Sequence, residues 1–333
     1  LLTTTKFGII PELVAPQHLS AANGLAGLLT LVGVITGTVA GNVLYSYGSP
    51  DGISHLWLSG SALLGVAVLG VVFCFPIERV RAMNPGIPFP WNPIKNSVRD
   101  LKLVMSNRAI FRVTLGVVYF WSLASLSQMN IDTFVIHELS MTQREVGPFL
   151  AVLSMGVGLG SLLAGWWSCG RVETGMVPLG TITMAVACGL AYISSDSWLL
   201  FGMSLFLIGV GGGLFNVPLN AFIQERSPRG SLGAILAAGN QLTGIGMMVM
   251  SLVFPFLIKQ VHMSPTQVFL LCGVVTLPIF FYICWLIPQT TIRFVVWLFS
   301  RTLYRVRTSG EENIPRQGPA LLVANHVTWL DGI

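Results

Sequence analysis

Charge is what this sequence has least of. Only 9% of its 333 residues are Asp, Glu, Lys or Arg, against about 25% in ordinary soluble domains. With 53% of its residues apolar, a globule of this size in water could not cover its own surface, so the membrane class leads and a disordered chain is excluded. Cysteine is sparse too. Cys74, Cys169, Cys188, Cys272 and Cys284 fall singly inside apolar runs, without CxxC or metal-ligand spacing. That excludes a disulfide-rich secreted scaffold and makes them small buried hydrophobes. No Gly-rich phosphate loop, metal cluster or nucleic-acid patch stands out, so neither a cofactor nor a nucleic-acid partner is expected. No charged n-region precedes an apolar core at Leu1, so no signal peptide is read there. The lack of an initiator Met and the stop at Ile333 inside a motif read as a piece of a longer chain.

What is present is long apolar runs. A crossing helix needs about 20 mostly apolar residues, and eight runs qualify: 20–47, 54–76, 111–137, 146–169, 174–194, 197–223, 231–258 and 265–287. Gly-rich stretches inside them, such as 156–160 and 209–213, would weaken a helix in water but let helices pack closely in lipid. No ten-residue alternating segments support a barrel. If the N-terminal stretch is cytoplasmic and the helices alternate, inner segments hold sixteen of the 18 basic residues and outer loops only Arg144 and Lys259. That asymmetry places both ends in the cytoplasm.

The longest break, residues 77–110, is basic and Pro-rich (Pro85, Pro88, Pro90, Pro93) and separates two helices from six. This layout resembles a major facilitator fold from its fifth helix onward; an unrelated eight-helix protein would share the topology. After Pro288 the character changes. Arg293, Trp297, Arg301 and Arg305 recur every four residues beside Phe294, Val295, Leu298 and Phe299. The pattern suits a helix lying in the cytoplasmic interface, or a water-exposed linker. A polar stretch and a strand candidate, Ala320 to Ala324, follow.

Directly after that strand comes Asn325-His326-Val327-Thr328-Trp329-Leu330-Asp331. With the preceding Gly-Glu-Glu-Asn-Ile-Pro and Gly-Pro-Ala-Leu-Leu-Val-Ala, it resembles the opening of the glycerophospholipid acyltransferase family and its HxxxxD signature. The resemblance implies that His326 deprotonates a lysophospholipid hydroxyl and Asp331 orients the imidazole, chemistry that suits a base titrating near neutral pH. It also implies an acyl thioester donor, acyl carrier protein or CoA. The family's later motifs lie beyond Ile333, so 1-acylglycerophospholipid O-acyltransferase activity is expected of a longer chain and not of this stretch. A structural His–Asp pair on a turn is the alternative.

The membrane part carries its own resemblance. Lys6 to Leu13 leading to Leu19-Ser20-Ala21-Ala22-Asn23-Gly24-Leu25 is similar to the loop before the fifth helix of bacterial lysophospholipid transporters. Asn216-Val217-Pro218-Leu219-Asn220-Ala221-Phe222-Ile223-Gln224-Glu225-Arg226, with Ala237 to Gln241, is similar to their tenth and eleventh helices. The loop Gly165 to Arg171 departs from the usual facilitator signature. The resemblance implies an inner-membrane protein that moves lysophosphatidylethanolamine-type lipids inward, fused to the enzyme that restores their missing chain. Two alternatives stay open: a facilitator for another amphipathic solute, and an acyltransferase whose helices only anchor it.

The expected architecture is an all-α polytopic membrane protein: a facilitator region over 1–288, an interfacial linker helix over 289–306, and the truncated start of an α/β acyltransferase domain over 307–333. Charged and amide side chains inside spans are costly and mark candidate sites. Asp132, with Gln128 one turn earlier, could bind a coupling cation or an ammonium headgroup, or sit wet near the outer mouth. Asn216, Asn220 and Gln224 form one stripe at four-residue spacing that lines a headgroup path or bonds neighbouring helices. Asn240 carries the same two readings.

Overall fold

A computed structural model of the chain describes residues 2–48, 56–76, 91–142, 145–168 and 171–303. His326, Asp331 and the strand candidate lie outside the described residues. The rest is helical: α1 (Leu2–Leu13), α2 (Leu19–Gly48), α3 (Leu56–Cys74), α4 (Pro93–Ser106), α5 (Arg108–His137), α6 (Val146–Trp167), α7 (Val177–Tyr192), α8 (Trp198–Arg226), α9 (Leu232–Lys259), α10 (Pro265–Leu286) and α11 (Pro288–Leu303). Seven of these, α3 and α5 to α10, are long and apolar enough to cross a membrane. At 1.5 Å per residue the 30-residue α2 spans about 45 Å.

The eight apolar runs coincide with α2, α3 and α5 to α10. Local chemistry sets several starts. The Asn107 side chain accepts from the amides of Ala109 and Ile110 to open α5, Ser197 accepts from Leu200 at α8, and Ser264 and Gln267 form a capping box at α10. Two helices differ from expectation. The basic, Pro-rich composition of residues 77–110 predicts a loop, yet α4 occupies 93–106, with Asn92 as its cap and Pro93 in its first turn. The segment before α2, whose likeness implies a loop, is the helix α1 with Pro11 inside it.

Glycine governs how the spans pack. A Cβ on Gly156 or Gly160 of α6 would strike the carbonyls of Phe206 and Val210 on α8, and one on Gly209 would strike Leu153 of α6. The two backbones therefore touch, which only glycine allows. Gly180 on α7 meets Gly211 on α8 in the same way, and Gly24 on α2 lies against the carbonyl of Ser161 on α6. Aromatics close one end of the bundle: Phe134 of α5 stacks on Phe201 of α8 with centroids 3.9 Å apart, and Phe149 and Phe269 pack around them. The opposite end is closed by Val104, Ile110, Ile223, Leu232 and Ile235. Many large apolar side chains on the outside are exposed, among them Leu63, Phe73, Leu252, Phe281 and Trp285, as a lipid-facing surface requires.

Candidate functional site

The stripe on α8 divides when its side chains are followed. Asn216 and Asn220 are half-buried, and the Asn220 amide donates to the carbonyl and the side chain of Asn216 at 2.9 and 3.0 Å. Gln224, one turn further on, is buried and committed to other helices. Its Nε2 donates to Asn23 Oδ1 at 3.2 Å and to the Phe7 carbonyl at 3.2 Å. Asn23 Nδ2 donates back to Gln224 Oε1 at 2.6 Å and to the Leu19 carbonyl at 2.8 Å. This reciprocal amide pair ties α8 to α2 and α1. Beside it lies a small cavity of about 80 Å³, whose lining includes Glu12, Gln224, Glu225 and Ser227.

On α5, Gln128 is exposed and Asp132 half-buried. The structure does not bring them to Asn216 and Asn220. Gly116 of α5 faces Leu219 and Phe215 of α8, whereas Phe134 faces Phe201, so the two helices run antiparallel. Asn216 therefore lies level with residues near 118 of α5. At 1.5 Å per residue, Gln128 and Asp132 sit about 15–20 Å further along. Asn240 is exposed on α9, next to Gln241, which borders a groove of about 360 Å³ between α4 and α9 with Ile94, Val98, Leu101, Leu242 and Ile245. The candidates thus form three separate polar stations, on α5, on α8 and on α9.

Three polar centres were not singled out in the sequence. Asn23 is the partner of Gln224. Asn130, fully buried on α5, donates to the Pro265 carbonyl at 2.8 Å, while its Oδ1 has no hydrogen-bond partner among the described residues. Glu173, between α6 and α7, is 2% exposed. It meets Arg293 of α11 at 2.8 Å, Arg171 at 3.0 Å and the Gly175 amide at 3.1 Å. An acid in a short polar loop and an Arg 120 residues away carry no sign of each other in the sequence. The only signal is a carboxylate following Arg171 in the loop that departs from the facilitator signature. Phe294 fills the space beside this pair, packed with Ala164, Met176, Leu214 and Val217. Outside the spans, Glu145 accepts from the amide and hydroxyl of Thr142 at 2.7 and 2.9 Å, and these donors hold its carboxyl below the ordinary carboxylate range.

Long helices joined by Gly-on-backbone seams, a lipid-facing outside and polar stations on α5, α8 and α9 define a multi-pass helical membrane protein of the facilitator class. The comparisons agree. A family model described as Major Facilitator Superfamily matches residues 1–251 and 133–293, and the chain belongs to that superfamily. A model described as Acyltransferase matches residues 305–333. The lysophospholipid transporter LplT of Klebsiella pneumoniae is 29% identical over 253 residues, covering 74% of this chain and 60% of the relative. That of Pectobacterium carotovorum is 28% identical over 233 residues, covering 69% and 54%. The chain therefore spans little more than half the length of these relatives. Among solved structures, the human organic anion transporter MFSD10 superposes with a TM-score of 0.65 at 17% identity, covering 84% of this chain and 67% of that one; at that identity the likeness concerns the fold.

Proposed function

We propose that this chain belongs to a transporter of a bacterial inner membrane that carries lysophospholipids of the lysophosphatidylethanolamine type inward and joins them, in one polypeptide, to re-acylation. The observation that carries the reading is the pairing of two matches in one chain: transporters named for lysophospholipid over most of the spans, and an acyltransferase model at 305–333. A one-chain lipid is a reasonable cargo because each buried CH₂ holds it in the leaflet by only about 0.8 kcal/mol, so losing a chain roughly halves the hold. In this reading, Gln128 and Asp132 receive the cationic headgroup at one level and Asn216 and Asn220 at the next. Asn240 borders the path on α9, and Gln224 closes it. His326 and Asp331 then act on the delivered lipid with an acyl thioester. Both ends of the chain face the cytoplasm, where the basic residues gather. The division at 288 and 306 separates transporter, linker helix and enzyme.

The test is uptake of labelled lysophosphatidylethanolamine by spheroplasts expressing the full-length protein, wild type or His326→Ala, with lysolipid and diacyl product resolved. The expected outcome is that the variant internalises label and leaves it as lysolipid. If neither protein raises internal label above the vector control, the helices only anchor the enzyme.

A further inference from the structure

The helix α11 has two apolar faces, and the protein uses one of them. Ile287 leaves the helical region (φ −130°, ψ 53°), so α11 is a separate helix, not a continuation of α10. On its inner side Phe294 is 2% exposed and stacks with Trp297 at 5.8 Å, and Arg301 lies over the Trp297 ring at 5.8 Å. The approach is close enough that a Cβ on Gly175 would strike the Thr290 carbonyl and lie 2.6 Å from Phe294 Cβ. Arg293 secures this side through the buried Glu173. The spacing of Ile292, Val295, Phe299 and Leu303 puts them on the opposite side at 100° per residue, and they are 60%, 40%, 60% and 68% exposed. Both charges of α11 belong to the docked half, so this outer stripe carries none.

We infer that the outer stripe of α11 lies in the headgroup–acyl boundary of the leaflet on the side of the α6–α7 loop, with Glu173 and Arg293 fixing the helix to the transporter while its other face rests in lipid. The occupant is a lipid surface because the chain enters α11 directly from the exposed apolar belt of a spanning helix, α10. Phe281, Tyr282 and Trp285 are all exposed one to two turns before α11 begins, on a helix long and apolar enough to cross. Four apolar side chains along about 16 Å of helix suit shallow insertion. The arrangement would hold whatever follows residue 303 at the membrane surface, beside the α6–α7 loop. It sharpens the linker-helix part of the proposed function, but it requires only that the chain spans a membrane.

The experiment places an environment-sensitive fluorophore on Phe299→Cys or, one turn on, Leu303→Cys. The background is the full-length protein with its native cysteines replaced, reconstituted in phosphatidylethanolamine–phosphatidylglycerol vesicles. Glu225→Cys, exposed at the end of α8, serves as the reference. Blue-shifted emission that is lost when the lipids are brominated near the top of the acyl chain, with the reference changing much less, is the expected result. Labelling of either position by a water-soluble maleimide at the rate of the reference overturns the inference. Protection from the maleimide without quenching by brominated lipid also overturns it, since a protein surface would then cover the stripe. Uptake of lysolipid is not read in this assay, so a failure here leaves the transport reading standing.

Discussion

Glu173 shows how much one side chain can fix. A carboxylate 2% exposed persists only when its oxygens are satisfied, and here two guanidinium groups and an amide satisfy them. The arginine side chains are themselves 54% and 51% exposed, so they hydrate when the carboxylate is removed. The loss is that of charge-assisted hydrogen bonds, about 1.5–3 kcal/mol, and not that of a stranded buried cation. Glu173→Gln keeps the size and the acceptor for Gly175 but discharges the cluster. Thermal unfolding in detergent should show Glu173→Gln and Arg293→Ala each lowering the midpoint, and the double variant lowering it by less than their sum. Strict additivity would mean that the two side chains do not act on one another. A milder effect belongs to Glu145, whose lowered folded-state pKa gives a defined sign. Its contribution is present above the unfolded-state pKa and lost as pH falls through the folded-state value. Hydrogen-exchange protection of the Thr142 amide should therefore persist at neutral pH and disappear in acid, and Glu145→Gln should abolish that dependence.

Among elements, the α6–α8 seam is the most demanding. The sequence showed its glycines in a helical run and the reason for them, close packing in lipid, but not which of them meet a backbone. That depends on the facing helix. Gly160 of α6 meets the Val210 backbone of α8, whereas Gly189 of α7 has nothing within 4 Å. Gly160→Ala should destabilise the protein by about 1–3 kcal/mol through overpacking, while Gly189→Ala should be neutral or stabilising, since alanine is the better helix former. Equal effects in a detergent-unfolding series would remove the seam as an explanation. The spans themselves were legible because each is a long, predominantly apolar run. The helices α1 and α4 were not, because they are short and mixed in character, and their apolar residues find partners only after the spans assemble. The stripe of Asn216, Asn220 and Gln224 was legible as one face of α8. That Gln224 pairs with an asparagine 201 residues earlier was not, since no local pattern encodes which helix arrives opposite.

At the scale of the molecule, that pairing has a mechanical meaning. The helix α2 precedes the long 77–110 connection, and α6 and α8 follow it. Among the described side chains of α2, Leu19, Ser20, Asn23 and Gly24 at its start are buried, while Leu25, Leu29, Val32 and Val34 are exposed. At that end the α2 helix therefore leans on α6 and α8. Facilitator bundles work by rocking one part against the other around a central site, and a fastening between α2 and α8 such as the Asn23–Gln224 pair would hold one end of such a bundle closed. A short thiol-specific cross-linker joining Asn23→Cys to Gln224→Cys should halt uptake of labelled lysophosphatidylethanolamine, and cleavage of the cross-link should restore it. The single variants treated with the same reagent should retain uptake, which separates tethering from modification. Full uptake by the tethered protein would mean that α2 and α8 stay together throughout the cycle and that the moving boundary lies elsewhere, leaving the amide pair as a static brace within one rocking unit.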